Sequence, residues 1–211
     1  AYADELGATP EIEVLFRRGG WDDSHTVDLY QRMFDWFDQR DVERLLTYNG
    51  AWFDGKHLLN WASDIDDTAD QTFQEQTETL FENHIDVALA AADEYSEELW
   101  DEQHILPDWK AYNLTEINNE GVWYDDYDFP DTYLSDIDGA AVQGKHIGQV
   151  LGERYIDNVE AGIEATSVHR ELTRLLEDYC TSDVADLIEL YTTLGGPTLD
   201  EAYRRTAAEI I

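Results

Sequence analysis

The groups in this 211-residue chain that could do chemistry are six histidines, one cysteine and 48 acidic side chains, so their spacing decides which chemistry is open. His84, His146 and His169 each fall on the flank of an apolar helical stripe. A neutral imidazole there can ligate a metal, or simply pack in a core with its nitrogens satisfied. A His/carboxylate site built from these three would take a divalent or iron-type metal. The regular di-metal bundle pattern is absent: it needs Glu-x-x-His on two helices, and the residues three before the six histidines are Asp22, Asp54, Phe81, Asp101, Gln143 and Thr166. Glu97, Asp101 and His104 share a helical arc of roughly 60°. That arc points away from the apolar seam of the same segment, which makes it a solvated face.

Other constellations fail on single residues. Asp64, Asp66, Thr68, Asp70 and Glu75 match the liganding positions of an EF-hand loop, but Ala69 stands where the sharp turn needs Gly. In the second acidic cluster, Asp136-Ile137-Asp138-Gly139, the loop would begin at Leu134 and end at Lys145, which cannot bind calcium. Asp66-Asp67-Thr68-Ala69-Asp70 spells the Asp-Asp-x-x-Asp of prenyl-diphosphate enzymes, without a second copy or a nearby Arg/Lys set for the diphosphate. Lys145-His146-Ile147-Gly148 is similar to the Asp-His-Ile signature of redox-enzyme maturation chaperones, which are helical and of comparable length. Lys replaces the Asp, so nothing is carried over from that family. Cys180 closes an amphipathic stretch, where a lone cysteine is a small packed hydrophobe more often than a nucleophile. A Cys180/His169 dyad would be about 16 Å apart along one helix. No Gly-x-Gly-x-x-Gly, P-loop, Cys-x-x-Cys, His-Glu-x-x-His or Gly-x-Ser-x-Gly occurs, so there is no nucleotide cofactor motif. Whether the chain is an enzyme stays open.

The elements that must position these groups read as helices. Val27, Tyr30, Phe34, Phe37 and Leu45 predict an amphipathic helix over 24–48, and a brief helix follows at 56–62 after the Asn49-Gly50 turn. The strongest element is a single helix over about 69–105: Thr68 and Gln71 have capping-box spacing, and Phe81, Ile85, Ala88, Ala92, Tyr95 and Leu99 recur at steps of three and four. Pro107 ends it. Helices resume near 140–165, 167–180 and 183–194, and Thr198 to Glu201 has a second capping-box spacing that opens a terminal helix. No repeat and no Pro/Gly/Ser linker divides the chain. The expected fold is therefore all-α: a single-domain helical bundle of about six helices over 1–211, with one long aromatic-rich loop at about 106–140.

That loop is the expected recognition surface. Trp109, Tyr112, Trp123, Tyr124 and Tyr127 stand among Asp and Asn without sustained period, and long ordered segments of this kind tend to be functional. Trp and Tyr supply rigid, amphipathic contact area. The competing reading is that the rings cap the end of the bundle.

Charge narrows the partners. The formal net charge is −35, from 13 basic and 48 acidic residues, and only Lys56, Lys110 and Lys145 are lysines. Direct nucleic-acid binding needs a basic face, which is lacking. Such composition resembles that of proteins from salt-in halophiles such as haloarchaea: at molar salt the Debye length falls to about 3 Å and carboxylate repulsion is screened. The reading is thus halophilic and archaeal, with an acidic DNA mimic as a rival. Residues 71–140 form the acidic pole, with 19 acids against one base. One cysteine allows no internal disulfide, and the longest apolar run, Val87–Ala92, is far short of the roughly 20 residues a spanning helix needs. The N-terminal stretch Ala1-Tyr2-Ala3-Asp4-Glu5 has neither the basic nor the apolar region of a secretory signal. The expectation is a cytoplasmic protein that touches no membrane. Its function is expected to be that of a non-catalytic binding, adaptor or assembly factor with a protein partner; the alternatives are a metal-dependent helical enzyme and the DNA-mimic inhibitor.

Overall fold

The structure, a computed structural model, describes residues 1–69, 72–100 and 103–210, with backbone only at 67–69. In chain order it runs α1 (Asp23–Asp38), β1 (Leu45–Thr47), α2 (Asp54–Ala69), α3 (Phe73–Leu80), β2 (His84–Asp86), α4 (Val87–Glu94) and α5 (Asp108–Leu114). Then come α6 (Gly144–His146), α7 (Gly152–Glu160), α8 (Ser167–Ala185), α9 (Leu187–Thr193), α10 (Asp200–Tyr203), β3 (Arg204–Arg205) and α11 (Ala207–Ile210). Helix makes up 57% of the chain. The fold is mainly helical, yet it is not all-α, and its helices are shorter and more numerous than the six expected.

The correction is sharpest in the segment expected to form one helix over 69–105. It breaks at a 3-10 turn, Phe81–Asn83, and passes into β2. The middle strand β2 runs parallel to β1, with Leu45 opposite His84 and Thr47 opposite Asp86, and antiparallel to β3, with His84 opposite Arg205. The seam residues Phe81, Ile85, Ala88 and Ala92 are all buried, so the spacing reported burial correctly and backbone type incorrectly. The Asp86 carboxylate, accepting from Ala88 N–H at 3.2 Å, starts a fresh helix. That helix, α4, is apolar over Val87–Ala92, as an element enclosed by other chain must be. The Thr68/Gln71 capping box lies outside the described side chains. The amides of Phe73 and Gln74 at the start of α3 instead donate to Asp66, at 2.7 and 3.1 Å.

Two further expectations change. The helix expected over 24–48 ends at Asp38, and Leu45 belongs to β1. The segment 106–140 is not one loop: it contains α5 and a 3-10 turn, Tyr124–Asp126, and Trp123 bridges Ala141.

Contacts gather the chain into two compact units. The first comprises Ala1, Ile12–Leu29 and Glu120–Ala185; the second comprises Tyr2–Glu11, Tyr30–Asn119 and the chain from Asp186 onward. In the first, α8 buries His169, Leu172, Leu175 and Leu176 at helical spacing against Leu151, Val142, Tyr124 and Tyr127. A π-helical turn at Ile147–Leu151 joins α6 to α7, and a side chain at Gly152 would press on the Ile147 carbonyl at 2.9 Å. In the second, Ile85, Val87, Ala91, Leu106, Leu190 and Tyr191 form the main core, and Leu59, Phe81, Ala207 and Ile210 pack beside the inner face of α2.

Candidate functional site

Strand β2 of the second unit carries two fully buried polar side chains on the same face, His84 and Asp86. Both act on the turn that follows β1. Asp86 accepts from the backbone N–H of Asn49 at 2.8 Å and of Ala51 at 3.0 Å, besides Ala88. Burial pushes its carboxyl above the usual range, and the three N–H groups pull it back down. His84 Nε2 pairs with Thr47 Oγ1 at 2.6 Å, and Thr47 Oγ1 also accepts from Gly50 N–H at 3.2 Å. Asn49 sits at φ 63°, and a Cβ at Gly50 would collide with Thr47, so the chain must turn through Asn-Gly here. A buried carboxylate and imidazole thus fix the geometry of residues 47–51.

What this clamp presents is a row of exposed aromatic rings. Trp52 is 70% exposed and Phe53 58% at the entry to α2, and Trp61 is 52% exposed two turns on. Phe53, His57 and Trp61 follow at steps of four, so they line one side of the helix. The Phe53 and His57 rings meet edge to face at 4.9 Å, and His57 and Trp61 lie 5.8 Å apart. The opposite side of α2 buries Leu59, Ala62 and Ile65. Burying a large apolar side chain gains about 1.5–3 kcal/mol, and these rings forgo much of it. An exposed aromatic row of this kind makes the face a candidate interaction surface. The sequence carries the signal, Phe53-x-x-x-His57-x-x-x-Trp61 opposite Leu59, Ala62 and Ile65, beside the longer and more conspicuous aromatic segment downstream.

The residues anticipated from that downstream segment separate by type. Tyr112, Tyr124 and Tyr127 are at most 9% exposed and belong to the cores, whereas Trp109 is 56% and Trp123 51% exposed. Trp109 and Tyr112 are in the second unit; Trp123, Tyr124 and Tyr127 are in the first. Tyr127 donates to Asp178 at 2.7 Å under the Arg174 guanidinium, which is core bracing.

The three histidines also occupy separate settings. His84 is in the second unit, His146 and His169 in the first. His146 Nδ1 pairs with the Tyr124 hydroxyl at 2.8 Å, and His169 stacks on Tyr155 at 5.1 Å. His146 and His169 thus have two different partners, Tyr124 and Tyr155. Burial holds all three imidazoles below their ordinary pKa, His84 down to about 4, and they are neutral at pH 7. Among the described residues, no group of three or more His, Cys, Asp or Glu is arranged to hold a metal ion. Asp101 of the Glu97/Asp101/His104 arc, and Thr68 and Asp70 of the acidic cluster, lie outside the described side chains. Burial, followed by Asp183, pushes the Cys180 thiol up to about 11, which leaves it protonated. No helix among the described residues is long and apolar enough to cross a membrane.

Comparison of the chain with known protein families, characterised proteins and solved structures finds no match.

Proposed function

We propose that this chain is a non-catalytic binding, adaptor or assembly protein of a salt-loaded cytoplasm, and that it engages a protein partner through exposed aromatic rings. The observation that carries the reading is the exposed Phe53–His57–Trp61 row along α2, with Trp52 exposed beside it at the helix entry, left in water while a buried Asp86 and His84 hold the leading turn in place. The Asp86 carboxylate, with three N–H partners, rigidifies the turn it binds, and a rigid aromatic surface loses little entropy on docking. Trp109 and Trp123, from the segment 106–140, are further exposed indoles that a partner can cover. The charge of −35 opposes a polyanionic partner, and molar salt strengthens the drive to bury such rings.

The test is co-purification from native cytosol in high salt with the Trp52→Ser/Trp61→Ser double variant. A discrete partner should accompany the wild type and be lost from the variant, with the melting midpoint within about 3 °C of wild type. Unchanged capture, or collapse of the variant's fold, would overturn the reading.

A further inference from the structure

Three arginines of this chain share one arrangement. Arg40 lies 3.9 Å over the Trp36 ring and pairs with Glu11 at 2.5 Å. Arg174 lies 4.4 Å over Tyr127 and pairs with Glu171 at 2.7 Å; Arg154 lies 4.9 Å over Tyr133 and pairs with Asp136 at 2.6 Å. Each is a guanidinium placed on an aromatic face and tied at its edge by a carboxylate. The two attractions suit one another, because the planar guanidinium is weakly hydrated and can stack while its N–H groups reach sideways.

Trp61 and Asp64 on the exposed side of α2 supply the same two parts. They are three residues apart, so their Cβ atoms are about 5–6 Å from each other on one helix face, the spacing that lets a single cation touch both. Tyr133 and Asp136, both touched by Arg154, are separated by the same i, i+3 step. Among the described residues no Arg or Lys lies over Trp61 or pairs with Asp64. Lys56, the one Lys or Arg on α2, is five residues before Trp61 and so about 140° away around the helix, and no further Arg or Lys occurs before Lys110. The stretch just beyond, with Asp66, Asp67 and Asp70, is acidic as well.

We propose that the Phe53–His57–Trp61 row docks an arginine-bearing segment of a protein partner, with the partner's guanidinium lying on the Trp61 indole and ion-pairing with Asp64. This rests on the binding function proposed above and names the chemistry of what binds. Trp52 and Phe53, at the entry to α2 and about 12 Å from Trp61 along the helix axis, take the apolar flank of the same segment. In molar salt, attraction beyond about 3 Å is screened, so contact-range stacking and pairing are the interactions that survive there.

The experiment titrates the full chain with a twelve-residue synthetic peptide carrying one arginine between neutral and aliphatic residues. The same peptide with lysine, and with the uncharged arginine analogue citrulline, serves for comparison. Binding is followed calorimetrically in 0.5 M and 2 M KCl. Expected is tighter binding of the arginine peptide, by about threefold over lysine and about tenfold over citrulline, persisting at 2 M. Trp61→Leu should weaken it about tenfold and Asp64→Asn about threefold, with Ile163→Ala, an exposed position of the first unit, neutral. Equal binding of the three peptides that still depends on Trp61 would overturn the arginine assignment and leave the aromatic docking surface standing. Binding that ignores Trp61 and disappears at 2 M KCl, or no binding at all, would overturn both.

Discussion

His84 Nε2 and Thr47 Oγ1 meet at 2.6 Å across the parallel pair β1–β2, and through Gly50 N–H on the same hydroxyl the contact reaches the turn that opens the aromatic face. Either tautomer of the imidazole leaves Nδ1 without a partner among the described residues. A neutral ring tolerates that; a charged one in the same place, with Arg205 opposite on β3, does not.

Acid should therefore destabilise the second unit through His84. Burial, with Arg205 adding, lowers its folded pKa to about 4, while the unfolded value is near 6.5, so between these limits the unfolded chain binds more protons. The contribution is intact above pH 6.5 and falls away towards pH 4, by about 3 kcal/mol in total. Asp86, on the same strand face, works in the opposite sense: its raised carboxyl favours the folded state as pH drops. The two separate by comparing wild type with His84→Gln in denaturant titrations at fixed salt. Wild type should lose more stability than the variant from pH 7 to 4, and parallel curves would refute the assignment.

Asp86→Asn should be among the most damaging single-atom changes in the chain. The carboxylate takes N–H bonds from Asn49, Ala51 and Ala88, and an amide turns an N–H₂ towards at least one of them. A loss of about 2–4 kcal/mol is expected, together with faster hydrogen exchange at Asn49 and Ala51. Exchange there that matches wild type would show that the turn does not depend on the clamp.

How far this was legible in the sequence differs between burial and backbone. Phe81, Ile85, Ala88 and Ala92 lie inside as their spacing indicated, because solvent avoidance is a local property of each side chain. That His84–Asp86 is extended follows from Leu45–Thr47 on one side and Arg204–Arg205 on the other, both distant in sequence, and no local period encodes such pairing. The aromatic face of α2 was readable in principle, as two complementary stripes on one helix. The choice between core tyrosine and exposed tryptophan in 106–140 was not, since it depends on which carboxylates and histidines the fold brings to each hydroxyl.

That choice predicts opposite outcomes for neighbouring substitutions. Tyr124→Ala removes a 6%-exposed ring and the hydroxyl on His146 Nδ1, and about 3–5 kcal/mol should be lost. Trp123→Ala, next in sequence but half exposed, should cost below about 1 kcal/mol. Chemical denaturation of both variants decides, and comparable losses would mean the Trp123 ring is part of the core.

Salt should stabilise this protein, although salt also weakens its ion pairs. Pairs such as Arg154–Asp136 and Arg174–Glu171 are each worth about 0–1 kcal/mol and are partly lost to screening. Against them stands the mutual repulsion of carboxylates that outnumber all bases by 35, most of which cannot have a cation of their own. Screening that repulsion should win. The melting midpoint is expected to rise steadily from 0.1 to 3 M KCl, and low salt should speed exchange most at exposed acidic stretches of 71–140 such as Ser96–Glu98, since 19 acids face one base there. Potassium chloride must do this where an equal osmolarity of sucrose does less, since sucrose strengthens burial but screens nothing. A midpoint indifferent to KCl would mean that the carboxylates are already neutralised by the fold, and the salt-adapted reading would fall with it.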